Sequence, residues 1–145
     1  MTQQHGEGIT TATDSEKSDL LERAQRIAVV GLSDKPDRDS YRVAAYLQRA
    51  GYEVIPVNPA VDTVLGVKAY KSLSEIPGQV DIVDVFRRSE AVPPIAHEAI
   101  RIGAKGLWLQ LGVVHEESAA KAKAAGLVVV QDACIKVEHA RLARG

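Results

Sequence analysis

Ile27-Ala28-Val29-Val30-Gly31-Leu32-Ser33-Asp34-Lys35-Pro36-Asp37-Arg38-Asp39-Ser40-Tyr41-Arg42-Val43 reads as a buried strand, a charged loop and the start of a helix. Ile27 to Val30 is too short for a helix and rich in β-branched residues, as in a parallel strand covered on both faces. Gly31 ends the run, where a backbone without Cβ can turn sharply or approach another group closely. Strand-loop-helix units of this kind are where open α/β sheets hold phosphorylated ligands. The loop is not the dinucleotide fingerprint G-x-G-x-x-G, because Ser33 and Pro36 stand at the later glycine positions and no glycine follows before Gly51.

Working outward, apolar runs alternate with amphipathic stretches. The pattern predicts strands over 27–31, 53–57, 80–86, 106–110 and 127–130, and helices over 39–50, 91–102, 116–125 and 135–143. Pro93 and Pro94 open the second of those helices and Gly103 closes it. The connection from Asn58 to Gly78 reads as irregular, with a short strand around Lys68 to Tyr70. The expected fold is α/β: a Rossmann-like doubly wound parallel sheet of about five main strands with helices on both faces. Met1 to Ser18 is polar and reads as a flexible tail, leaving 19–145 as a single domain.

Composition narrows the function classes. The 145 residues are 46% apolar with one Phe and one Trp, so the core must be mainly aliphatic. A net charge of -1 supplies no general field for nucleic acid, and an anion site has to be a local cluster. The single cysteine excludes an internal disulfide and fits a reducing, cytoplasmic setting. No apolar run approaches the roughly 20 residues that cross a bilayer, and no His, Cys, Asp or Glu group has metal-ligand spacing.

Ligands of doubly wound sheets bind at the carboxyl ends of the strands. That rule selects Gly31 to Arg42, Val57-Asn58-Pro59, Phe86-Arg87-Arg88, Gln110-Leu111-Gly112-Val113 and Gln131-Asp132, each of which alone reads equally as an ordinary loop. Lys35, Arg38 and Arg42 supply cations, Ser33 and Ser40 hydroxyls, and Asp39 or Ser40 a cap for the following helix. Arg87 and Arg88 add charge from the third strand, expected on the same side as the second, and a guanidinium can chelate phosphate oxygens. Nicotinamide sites commonly end the second strand in an acid that holds the ribose hydroxyls, but this strand ends in Asn58-Pro59. A ligand with a phosphorylated ribose suits that end better. Coenzyme A is one such ligand and NADP another.

Val29-Val30-Gly31-Leu32-Ser33, Tyr52 to Pro59, Val83-Asp84-Val85-Phe86-Arg87-Arg88 and Leu107-Trp108-Leu109-Gln110-Leu111-Gly112-Val113 together resemble the stand-alone CoA-binding domain family. That family is related to the amino-terminal domain of the succinyl-CoA synthetase alpha subunit, and the resemblance runs from about Arg26 to Arg141. It implies CoA or an acyl-CoA lying across the strand ends. Gly31, Leu32, Ser33, Lys35, Arg38, Ser40 and Arg42 would face the diphosphate, and Asn58 and Pro59 would border the nucleotide. Phe86 and Arg87 would line the adenosine or pantetheine path, with Gln110 and Gly112 completing the edge. The synthetase also needs a phosphohistidine domain and a beta subunit, so complete ligase activity from this chain alone is not expected.

No catalytic constellation accompanies these residues. His97 and His139 fall inside helices and read as surface or packing groups. His115, beside Glu116 and Glu117, is an acid-base candidate by position only. Cys134, near Lys136, reads as an inert thiol more readily than as a nucleophile. The leading expectation is a non-catalytic CoA-binding carrier or regulatory module without nucleic-acid or membrane partners, with a homodimer or an unknown protein partner open. An NADP-dependent oxidoreductase and a regulatory interaction domain with a vestigial cleft are the alternatives.

Overall fold

The computed structural model describes residues 11–143. In chain order these form α1 (Asp14–Arg23), β1 (Arg26–Val30), α2 (Asp39–Arg49), β2 (Glu53–Val57), β3 (Thr63–Val64), β4 (Val67–Lys68), β5 (Ile82–Val85), α3 (Val92–Arg101), β6 (Gly106–Leu109), α4 (Glu116–Ala124), β7 (Val128–Val130) and α5 (Ile135–Ala143). The main sheet is parallel, in the order β2-β1-β5-β6-β7. This is the expected Rossmann-like architecture, and every main strand and helix read from the pattern is present within two residues at each end.

Strand alternation explains the two layers around the sheet. Ile27 and Val29 of β1 pack with Leu20 and Leu21 of α1, Val43 and Leu47 of α2, and Ile135 of α5. Ala28 and Val30 face the other way, onto Val92, Ala96 and Ala99 of α3 and Ala119 and Ala122 of α4. Successive side chains of a strand point to opposite faces, so one apolar run serves both cores. A single crossover hand requires this division of helices, because the chain builds outward from β1 in one direction through β2 and in the other through β5, β6 and β7. Trp108 is wholly buried, and its indole N–H donates to the Ala133 carbonyl at 2.9 Å.

Two expectations are corrected. The third main strand does not lie on the side of the second: β1 separates β2 from β5, placing Gly31 between the ends of both. The polar segment is helical from Asp14 onward, so the supposed tail ends before Ser18, while residues 1–10 lie outside the described residues. Its helix is set by a capping box, in which Thr13 Oγ1 accepts from the Glu16 amide and Glu16 returns a bond to the Thr13 amide. Lys17 reaches Glu138 at 2.8 Å and Arg141 reaches Asp14 at 2.8 Å, so polar residues of the segment that reads as a tail clamp α1 onto α5. Thr13→Ala is expected to cost about 1 kcal/mol in a denaturant titration.

The irregular connection contains the β3-β4 hairpin, turned through Leu65 and Gly66, both at positive φ (53° and 77°). Tyr70 then bridges to the edge of β2, its amide donating to Pro56 and its carbonyl accepting from Asn58, each at 2.9 Å. Leucine at positive φ is uncommon outside such turns, so the hairpin left no glycine-pair signature to read.

Candidate functional site

The reversal of strand order falls between β1 and β5, and the backbone draws three strand ends together there. The Gly31 amide donates to the Val57 carbonyl and the Phe86 amide to the Val30 carbonyl, both at 2.8 Å. Gly31 has φ +87°, and a Cβ on it would overlap the Phe86 carbonyl oxygen and lie 3.0 Å from Arg87 Cδ. The glycine is therefore required twice, by its dihedral and by the closeness of the next strand.

Two clefts open from this point and share Arg87. One, of about 530 Å³ on the α3 face, is lined by Gly31, Asn58, Pro59, Lys71, Ser72 and Arg87, among others. The other, of about 710 Å³ between α2 and α5, is lined by Arg42, Val43, Phe86, Arg87, Gln110 and Cys134, among others. Both volumes fall in the ordinary range of small-molecule sites. A further depression of about 680 Å³, lined by Tyr52, His139 and Leu142, lies at the opposite, amino edge of the sheet, away from the strand-end crevice.

The expected site residues divide by position. Arg87 is exposed and central, and Phe86 half-buried beside it. Asn58 is held by donating to the Leu32 carbonyl at 3.0 Å while its Oδ1 accepts from Ala60, which stiffens the border of the first cleft. The Leu32 side chain lies in the core, leaving only its backbone at the edge. Ser40 does not cap α2: the N-cap is Arg38, without a side-chain bond, and buried Ser40 Oγ accepts from the Ser33 amide at 3.0 Å. Asp39 is the first helical residue and pairs with Arg42 at 2.6 Å, so it does not cap either. The chain turns at Lys35 to Arg38, whose backbone bond of 3.0 Å starts the helix earlier than the side chains suggested.

Arg42 also donates to the Asp37 carbonyl at 2.7 Å, so it braces the loop while lining the second cleft. Lys35 and Arg38 are exposed on the loop and line neither cleft. The Gly112 amide is taken by Asp132 Oδ1 at 2.7 Å. His115 is the N-cap of α4, its Nδ1 accepting from the Ser118 amide at 3.2 Å, which gives the ring a structural task where acid-base chemistry had been considered. His139 accepts or donates at 2.8 Å to the Tyr46 hydroxyl and stacks edge-on with Tyr46 and Tyr52, so it packs, as expected.

One residue escaped the sequence reading. Asp84 is fully buried in central β5, two residues before Phe86 and so on the same face of the strand. Gln110 Nε2 donates to Asp84 Oδ1 at 2.5 Å, while Oδ2 has no partner among the described residues. Burial raises its pKa to about 7, only partly opposed by the Gln110 bond. A carboxyl one pleat behind a cleft thus keeps its proton to a much higher pH than a surface aspartate does. An acid between Val83 and Val85 was the available signal, since an ordinary buried strand has no use for a charge.

The molecule is a doubly wound α/β protein with a two-part cleft where its strand order reverses. It belongs to the CoA binding domain family, whose model matches residues 25–140. The protein YneT of Bacillus subtilis (strain 168), described as uncharacterized, is 53% identical over 126 residues, covering 87% of this chain and 93% of that one. The alpha subunit of acetate–CoA ligase [ADP-forming] II of Pyrococcus furiosus is 40% identical over 82 residues, covering 56% of this chain but only 18% of the ligase subunit. Among solved structures, a hypothetical protein from Pyrococcus horikoshii OT3 superposes with a TM-score of 0.89 at 38% identity, over 99% of each chain. Among the described residues, no group of three His, Cys, Asp or Glu side chains could hold a metal ion, and no helix is long and apolar enough to cross a membrane.

Proposed function

We propose that this chain binds coenzyme A or an acyl-CoA at the carboxyl edge of its sheet, as a cytoplasmic, non-catalytic carrier or regulatory module. The observation that carries the reading is Arg87, which borders both clefts directly beside the close approach at Gly31. An extended ligand crossing from one cleft to the other passes this guanidinium, and diphosphate is the part of CoA that a bidentate donor grips best. The α2 N-terminus, free of a side-chain cap, adds its dipole at the second cleft. Asn58 and Pro59 put no carboxylate at the end of β2, which suits a phosphorylated ribose there, and the one acid lining the first cleft, Glu98 of α3, accepts from the Leu73 amide. Family membership adds to this, and the match to a short part of a CoA ligase subunit fits a binding unit rather than the whole reaction.

Calorimetry with CoA, NADP and NAD in parallel tests the assignment. CoA at a hundredfold excess over its Kd is expected to stabilise the fold by about 2.7 kcal/mol, raising Tm by roughly 8 °C. Arg87→Ala should weaken CoA binding about 10- to 30-fold, the loss of one charge-assisted contact, with little change in the stability of the free protein. Tighter binding of NADP than of CoA would replace this reading with the oxidoreductase one.

A further inference from the structure

Among the described residues the exposed large hydrophobic side chains are Leu111 (68%), Val137 (56%) and Val114 (39%), and the two most exposed line the same cleft. Single exposed apolar residues are ordinary. Two in one cleft, Leu111 following β6 and Val137 in the first turn of α5, add to the apolar lining that Val43, Phe86 and Val113 supply. The cations of this cleft are Arg87 and Arg88, which follow β5, Arg42, which is already paired with Asp39, and Lys136, whose ammonium lies over the ring of Tyr46, a residue outside the cleft lining, at 5.7 Å from its centroid. The site is thus graded, charged where it joins the first cleft and apolar beyond.

From this grading we infer that the cleft between α2 and α5 receives an aliphatic acyl group, so that the preferred ligand is an acyl-CoA of short to medium chain rather than free CoA. The inference rests on the CoA reading above. A ligand anchored by its phosphates at Arg87 directs its other end into the space walled by Phe86, Val113, Leu111 and Val137. Covering Leu111 and Val137 with methylenes removes apolar surface from water on both partners, which free CoA, ending in a thiol, does less well. A volume of about 710 Å³ leaves room for a chain beside the carrier arm.

The test is calorimetric titration of the full chain with CoA, acetyl-CoA, butyryl-CoA and hexanoyl-CoA. Affinity should rise about threefold for each added methylene, about eightyfold over the four methylenes from acetyl to hexanoyl. Leu111→Ser combined with Val137→Ser, both at exposed positions, should lower the ratio of hexanoyl-CoA to CoA affinity by at least tenfold. Binding of CoA with a flat or falling acyl series overturns this inference and leaves the CoA reading standing, whereas failure of every one of these ligands to bind removes both. A monomer-dimer equilibrium abolished by the double variant, with an unchanged acyl series, would assign the wall to a second copy of the chain and also overturn it.

Discussion

Gly31→Ala is expected to lower the stability of the protein by about 3–5 kcal/mol, a fall in Tm of roughly 10 °C or more, and to weaken ligand binding with it. Two costs combine. An alanine at φ +87° is strained by about 1–2 kcal/mol. Its Cβ would also meet the Phe86 carbonyl oxygen, a backbone atom fixed by the sheet, so the ends of β1 and β5 must part. Gly51→Ala separates the two terms, since Gly51 has φ +105° but a Cβ there meets nothing within 4 Å. It should cost only the dihedral term. Equal losses for the two variants in denaturant titrations would show that β5 does not crowd Gly31.

The second large effect is a change in how stability depends on pH. Asp84 has a folded pKa of about 7 against an ordinary 3.8, because burial disfavours its charged form. The native state therefore holds a proton that the unfolded chain has released between those values, and stability declines as pH rises from about 4 to about 7. A difference of roughly three pKa units corresponds to an order of 4 kcal/mol, fully present above pH 7 and absent below pH 4. Asp84→Asn keeps the shape and the acceptor for Gln110 but cannot ionise. It should match the parent near pH 4 and exceed it by up to about 4 kcal/mol at pH 8. Asp14 works in the opposite sense: hydrogen bonding from Arg141 holds its pKa at about 2, so its contribution is lost on acidification. The difference between the two proteins cancels that background. Parallel stability curves for parent and variant across pH 5 to 8 would mean that Asp84 is ionised in the folded protein.

The same pair bears on why the site was only partly legible. Segments at strand ends could be chosen in advance because periodicity located the strands, and Arg87, Phe86, Asn58 and Gly31 do line the clefts. Lys35 and Arg38 carried equal weight in the sequence, yet they line neither cleft, because the turn at Lys35 to Arg38 directs the loop into α2. Lys71 and Ser72 entered the first cleft unforeseen, since the connection bearing them is organised by the Tyr70 bridge to β2, a contact across more than ten residues. Asp84 shows the limit most directly: its partner Gln110 is 26 positions away, and neither residue signals the other.

Local chemistry determined the strands and helices of this protein, because β-branched runs, glycine stops and amphipathic spacing act over a few residues and are written in consecutive positions. It also determined that Gly31, Asn58, Phe86 and Arg87 stand at one edge of the sheet. Strand order, the centring of β1 between β2 and β5, the docking of α1 on α5 and the joining of two clefts at Arg87 were decided only by tertiary structure. Those features depend on which apolar faces bury one another, a pairwise choice among distant segments whose energy no single segment carries.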